Sequence, residues 1–307
     1  MHRIQEKCRA VTRISVLTPV WNEQAYFDEM VESLISQTHS DWELLVIDDG
    51  STDDSAAVIE KWAAKEPRVV PVSLRVKMGK VEAFNRAFTA STGELICLCG
   101  GDDTMPSDSL ERRVAALQPY LEMRAAAFFK LKTFSEERKF DGAILPRGKS
   151  GSRSGGSMTL TRSLAQEAFP IAPGLPSEDT WLSQAIAALA EKIVDDPSIV
   201  LNYRIHAGNS NPRHRDFASM NESLHSRMRA IDLILSQDRF EVPREQRRRL
   251  EIQSAAEDLR YRGRTLEILG MSDLGLIDRL AVAQASDPRL RWLRDRVYLL
   301  TSGWRGQ

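Results

Sequence analysis

The 307-residue sequence holds no apolar run approaching the roughly 18 residues needed to cross a bilayer, so no transmembrane segment is expected. Its first residues, MHRIQEKCRAVTR, lack the apolar core of a secretory signal. Cysteine is scarce: Cys8, Cys97 and Cys99 do not make a disulfide framework, and a reducing cytoplasm is the compartment expected. Net charge is nearly absent, at a formal -1, which gives no general pull toward nucleic acid. Lysine stops at Lys192, although arginine continues to the end, and this shift marks a second unit. A glycine-rich G-x-G-x-x-G after the first strand is also missing, which argues against a dinucleotide fingerprint and a dehydrogenase.

What is present has the length for one large α/β unit plus an appendage. Its most informative stretch is GELICLCGGDDTMPSDSLE, from Gly93 to Glu111. The run Leu95 to Cys99 has no helical spacing and predicts a strand buried on both faces. Gly100 and Gly101 permit a sharp exit, and Asp102 and Asp103 present oxygens beyond the strand tip, as a metal site would require. A solvated turn uses the same residue types, so other segments must decide between the two. Ser107 is placed to cap a helix with Leu110, Val114 and Leu117 on its apolar side.

Earlier in the chain, Ile14 to Leu17 predicts a strand running into Thr18-Pro19-Val20-Trp21-Asn22-Glu23, then a helix buried through Phe27, Met30, Val31 and Leu34. Trp42 to Ile47 repeats the strand signal and ends in Asp48-Asp49-Gly50-Ser51; a helix with Ile59 and Trp62 inward follows. A third strand, Val69 to Leu74, leads through the basic loop Arg75 to Lys80 into a helix carrying Val81, Phe84, Ala87 and Phe88. Strands alternating with single helices imply crossovers and a mainly parallel sheet, whose ligands bind beyond the carboxyl ends of the strands. The three polar clusters all fall at that edge.

Further on, Ala125 to Leu131 predicts a strand, and Glu137 to Ser157, rich in Gly, Ser, Lys and Arg, a mobile loop. A plain linker and a lid over an anionic ligand remain equally open for it. Ser177-Glu178-Asp179 starts a helix through Trp181, Leu182, Ala185, Ile186 and Leu189, where acids complement the helix dipole whether or not they are catalytic. Ile199 to Ile205 predicts a last strand before His206-Ala207-Gly208-Asn209. Beyond it, Leu224, Met228, Ile231 and Leu235 have helical spacing, as do Leu290, Leu293, Val297 and Leu300. Interspersed acids make Arg247 to Arg249 a solvated helix face, with contact to anionic lipid the alternative. The expected units are 1–211, catalytic, and 212–307, helical.

Over roughly residues 12–211 the chain resembles the family 2 glycosyltransferases of the GT-A fold, through ISVLTPVWNEQAYFDEMVESLISQTHSDWELLVIDDGSTDDS, GKVEAFNRAFTASTGEL, GGDD, SEDTWL and YRIHAGNSN. The resemblance implies an α/β fold with a mainly parallel central sheet and an inverting sugar transfer from a nucleotide-diphosphate donor, a UDP-sugar in first place, to a glycan, lipid-linked or other hydroxyl acceptor. It assigns the nucleotide to Thr18, Pro19, Val20, Glu23, Asp49, Ser51, Lys80, Gly101 and Asp102, with Asp49 accepting the base N–H and Lys80, Arg75 or Lys77 near the diphosphate. Mg²⁺ or Mn²⁺ falls to Asp102 and Asp103 with His206 beside them, and the general base to Asp179, supported by Glu178. Two departures stand out: Gly100 occupies a position where the commonest form has an aspartate, and Arg291-Trp292 lacks the glutamine of the processive Gln-x-x-Arg-Trp motif. Single additions are therefore expected, in the cytoplasm or against the inner face of the membrane, with self-association through the C-terminal helices an allowed partner contact. Two other functions use similar residues. A sugar nucleotidylyltransferase should carry a glycine- and arginine-rich first loop, which Thr18 to Glu23 does not, and a non-catalytic sugar-binding protein has less need of Asp103 and Asp179.

Overall fold

A computed structural model of the chain describes residues 12–72, 76–206, 208–209 and 216–292. Four parallel strands form one half of the sheet in the order β3-β2-β1-β4: β1 (Ile14–Val20), β2 (Trp42–Asp48), β3 (Val69–Pro71) and β4 (Leu95–Leu98). Helices α1 (Phe27–Ile35), α2 (Ser55–Lys65) and α3 (Lys80–Ala90) make the connections, as the alternation of periods predicts. Residues 73–74 of the expected third strand lie outside the described residues, as do Arg75 and the helical positions beyond Trp292.

The other half is of mixed direction. After α4 (Ser109–Leu117) comes β5 (Ala125–Phe134), then a short β6 (Ile144–Leu145) and β7 (Met158–Thr161), which runs antiparallel between β4 and β5. Helices α5 (Arg162–Ala168) and α6 (Glu178–Leu189) lead to β8 (Lys192–Arg204), parallel to β5 along its length. Three sequence boundaries shift. The last strand starts at Lys192 rather than Ile199, α4 is capped at Asp108 rather than Ser107, and the segment Glu137 to Ser157 contains β6 and a turn of 3-10 helix. For the last strand and for β6 it is pairing to β5, invisible to local pattern, that extends or orders the element.

Side-chain alternation splits the core in two. Leu17, Leu45, Ile47, Ile96 and Leu98 face α3, α5 and α6, whereas Val16, Leu44, Val46, Cys97 and Cys99 face α1, α2 and α4. The two cysteines share a face and are both free.

The helices α7 (Phe217–Ser236), α8 (Arg244–Tyr261), α9 (Thr265–Gly270) and α10 (Leu276–Ser286) complete the described chain. No helix among the described residues is long and apolar enough to cross a membrane. The expected break at residue 211 is not a break in the core. Ala230, Ile231 and Ile234 of α7, with Phe240 and Leu250, belong to the same buried cluster as Trp181 and Ile186 of α6. The Trp181 and Phe240 rings lie 5.7 Å apart, and Arg239 donates to the carbonyls of Phe169 and Pro170 at 2.8 and 2.7 Å. Each buried aliphatic or aromatic side chain contributes about 1.5–3 kcal/mol. A chain ending at residue 211 should therefore aggregate or lose its cooperative melting transition; a sharp unfolding transition in the soluble truncated chain would show that the two parts fold independently.

At the amino ends of the strands, away from the polar loops, buried Glu43 accepts from Ser15 Oγ at 2.6 Å, Thr92 N–H at 2.6 Å and Gly93 N–H at 3.2 Å, with Arg13 at 3.2 Å. Burial pushes its pKa up, but these donors outweigh it and hold the carboxyl below its ordinary 4.5. A depressed carboxylate gives stability that is complete above its unfolded pKa and lost as pH falls through the folded one. Glu43→Gln should lower the unfolding free energy by about 1–3 kcal/mol near neutral pH, with the gap closing in acid. Urea unfolding across that pH range measures both, and an unchanged midpoint at neutral pH would remove the cluster's stabilising role.

Candidate active site

Parallel pairing sets the carboxyl ends of β1, β2 and β4 side by side, so the loops that follow them build one cleft. The first two loops are stitched together. Asn22, in the left-handed region at φ 58°, donates its N–H to Ser51 Oγ at 2.9 Å and accepts from the Thr52 N–H at 2.7 Å. Glu23 N–H reaches Ser55 Oγ at 2.9 Å. Thr18, Pro19 and Val20 are buried in β1 itself.

The second loop fixes the third. Asp49, buried at the end of β2, accepts from the Met78 N–H at 2.6 Å and the Gly79 N–H at 2.9 Å, pinning the basic loop ahead of α3. Gly50, at φ 74°, has no room for a side chain, since a Cβ there would lie 2.7 Å from the Lys77 nitrogen. Lys77 places its ammonium 3.0 Å from the ring centroid of half-exposed Trp21, at the lip of the cleft.

Beyond β4 the Gly-Gly-Asp-Asp turn is packed from both sides. A Cβ on Gly101 would collide with Glu23 Oε2, and the space beside Gly100 is filled by Asp102 Oδ1, which a Cβ would meet at 2.5 Å. An aspartate at position 100 would thus displace the Asp102 carboxylate. The turn is also tied to β8: Thr104 and Asn202 pair through their backbones, and the Arg204 N–H donates to Asp103 Oδ1 at 2.8 Å. Arg204 Nε donates to the Asp102 carbonyl at 2.7 Å while its guanidinium lies over Tyr26 and Phe134 and pairs with Glu29. His206 Nε2 stands 3.0 Å from Asp102 Oδ2, and Asn209 Nδ2 donates to the same oxygen at 3.3 Å.

From the opposite side comes the start of α6. Pro176 disfavours helix before it and Ser177 is the N-cap, so Glu178 and Asp179 occupy the first turn. The two acids differ in exposure. Asp179 is half-buried and its Oδ1 accepts from Ser177 Oγ at 2.6 Å and Thr180 N–H at 2.8 Å. Glu178 is 4% exposed, and its Oε1 lies 3.0 Å from Lys80 Nζ.

Three buried polar atoms here have no hydrogen-bond partner: Thr18 Oγ1, Glu23 Oε2 and Glu178 Oε2. Burial, then the charges of Asp102 and Asp103, push the Glu23 carboxyl up to about 9. Burial and Asp102 likewise raise Asp103 well above the usual carboxylate range. For Lys80, burial pulls down but the Glu178 carboxylate wins, and its pKa is raised. The cleft is therefore short of positive charge.

Among the described residues no three His, Cys, Asp or Glu side chains converge as a metal cage. The donors fit an ion held mainly by its ligand. Mg²⁺ and Mn²⁺ favour oxygen, and Mg²⁺ commonly takes one or two carboxylates, the rest of its shell coming from phosphates and water. Asp102 and Asp103 supply carboxylates of that kind, and the excess of acid would be relieved by a cation.

The structure thus brings Glu23, Lys80, Asp102, Asp103, Glu178 and His206 into one cleft, with Asp49 and Ser51 anchoring its loops. Arg204 and Asn209 were not singled out from sequence; the signal was there in Arg204, two residues before His206 and hence on the same side of an extended chain.

Comparison with known proteins agrees with this geometry. The family model described as glycosyl transferase family 2 matches residues 15–130. An uncharacterised glycosyltransferase of Nostoc sp. is 35% identical over 106 residues, 34% of this chain and 33% of that protein. The match thus spans about a third of that relative's length. Among solved structures, S. aureus TarS 1-349 in complex with UDP-GlcNAc superposes with a TM-score of 0.61 at 18% identity, over 91% of this chain and 82% of that one. The mannosyltransferase PcManGT of Pyrobaculum calidifontis, in complex with GDP-Man and Mn²⁺, gives 0.60 at 17% identity, over 97% and 83%. The shared fold is GT-A, and residues 15–130 match the model of glycosyl transferase family 2.

Proposed function

We propose that the chain is an inverting glycosyltransferase that moves a sugar from a nucleotide-diphosphate donor to a hydroxyl acceptor on a glycan or lipid-linked saccharide, one sugar per encounter. The observation that carries the reading is the meeting, across a single cleft, of the family's acidic turn and the acids of α6, joined by the 3.0 Å contact from Lys80 to Glu178. TarS holds UDP-GlcNAc and PcManGT holds GDP-Man. UDP-sugars are the first donors to test here and GDP-sugars the second.

In this reading Thr18, Pro19, Val20, Glu23, Asp49, Ser51 and Gly101 form the nucleotide side. Asp49 already accepts two backbone N–H groups, and an N–H of the base would join them. Asp102 and Asp103, with His206 alongside, would hold Mg²⁺ or Mn²⁺, which supplies positive charge to the diphosphate as it leaves. Asp179 acts as general base, taking the acceptor hydroxyl's proton as that oxygen attacks the anomeric carbon opposite the leaving group. Its bonds from Ser177 and Thr180 fix the carboxylate's direction. Glu178, buried beside it, lines the acceptor side.

Asp179→Asn is nearly isosteric and should leave folding and nucleotide affinity intact while lowering turnover about 10²- to 10⁴-fold. Near-normal turnover with a working acceptor would make the residue a helix cap and Glu178 the next base to test. The acidic turn is probed separately: Asp103→Asn should abolish the Mn²⁺ enhancement of UDP or GDP binding in calorimetry, because the phosphates then lose their bridging cation. Unchanged, Mn²⁺-enhanced affinity would remove the metal from this position. Nucleotide binding by the parent chain without donor hydrolysis or transfer, across a panel of donors and acceptors, would leave a sugar-binding protein instead of an enzyme.

A further inference from the structure

Lys80 lies amid the acids of the cleft instead of serving one of them. Its ammonium is 3.0 Å from Glu178 Oε1, and its charge also acts on Asp102 and Asp179 and favours the ionised forms of Glu23 and Asp103. The contact is lopsided. The Lys80 side chain is 44% exposed, on a flexible stem at the first turn of α3, while that of Glu178 is 5% exposed and cannot follow it into solvent. Glu178 Oε2 has no partner at all, so among the described residues Lys80 is the side-chain cation paired with this acid, beside the start of α6. The backbone just before Lys80, Met78 and Gly79, is clamped to Asp49, which fixes where the stem begins.

We propose that Lys80 is an exchangeable cation: Glu178 holds it in the free protein, the donor's diphosphate takes it on binding, and Glu178 is left to accept a hydrogen bond from a hydroxyl of the sugar acceptor. The inference rests on the nucleotide-sugar reading above and adds a coupling between its two halves. A diphosphate carries more charge than one carboxylate, and a four-carbon stem lets the half-exposed ammonium swing away from Glu178. Once the ammonium turns away, a buried carboxylate with no partner is unfavourable, and an O–H donor is the neutral group that satisfies it. Donor binding therefore prepares the acceptor side, next to Asp179. Lys80 is a positioning residue for Glu178 in this scheme, besides its own contact with the diphosphate.

A double-mutant cycle reads the exchange directly, by calorimetric titration of UDP and of GDP, each with Mn²⁺, into the parent and into variants that melt like it. Glu178→Gln should bind the nucleotide about three- to tenfold more tightly, because Lys80 no longer has to leave a carboxylate. Lys80→Gln should bind it more weakly, and adding Glu178→Gln to that variant should give no gain. Lys80→Arg should restore the dependence. A purely structural ion pair predicts the reverse, equal or weaker binding by Glu178→Gln, and that result, or the same gain with and without Lys80, would overturn the exchange. A parent chain that binds neither nucleotide would overturn the transferase reading itself.

Discussion

The backbone bridge between Thr104 and Asn202, continued by the Arg204 N–H on Asp103, is the tie on which the cleft depends. Without it the turn after β4 would be a short acidic loop free to point into water. With it, Asp103 is buried, Asp102 is turned toward His206 and Asn209, and the end of the last strand closes over the first-strand loop through Tyr26 and Glu29. Beside Gly100 and Gly101, the space a side chain would take holds the carboxylates of Asp102 and Glu23.

That closure concentrates negative charge. Glu23 and Asp103 respond by holding protons more tightly, and Lys80 by holding its own. Repulsion among acids in a partly dry cleft is the kind that a cation would relieve. Glu178 is the exception, because a side-chain cation already stands beside it.

The family match covers residues 15–130, which holds β1 to β4, Asp49, Lys80 and the Gly-Gly-Asp-Asp turn. Asp179 and Glu178 on α6, Arg204 at the end of β8 and His206 just past it lie beyond the match. The first four strands and the acidic turn are thus carried by the segment that the family model matches. The acids of α6 and the end of β8 belong to the mixed-direction half, and α7 packs against α6 within one core.

Sequence alone determined the alternation of strand and helix, the edge at which the polar loops gather, and the acidic turn, since each follows from periodicity and residue type within a dozen positions. The acidic pair Asp102-Asp103 was visible for that reason, whereas the roles given to Asp49 and Asp179 came from the family resemblance. Only tertiary structure decided that Lys80 meets Glu178 across about a hundred residues of chain, that Arg204 locks the turn, that β7 runs antiparallel between β4 and β5, and that the core continues past residue 211. These are contacts between distant segments, fixed by strand pairing and by which apolar faces must cover one another, and no local pattern encodes the partner.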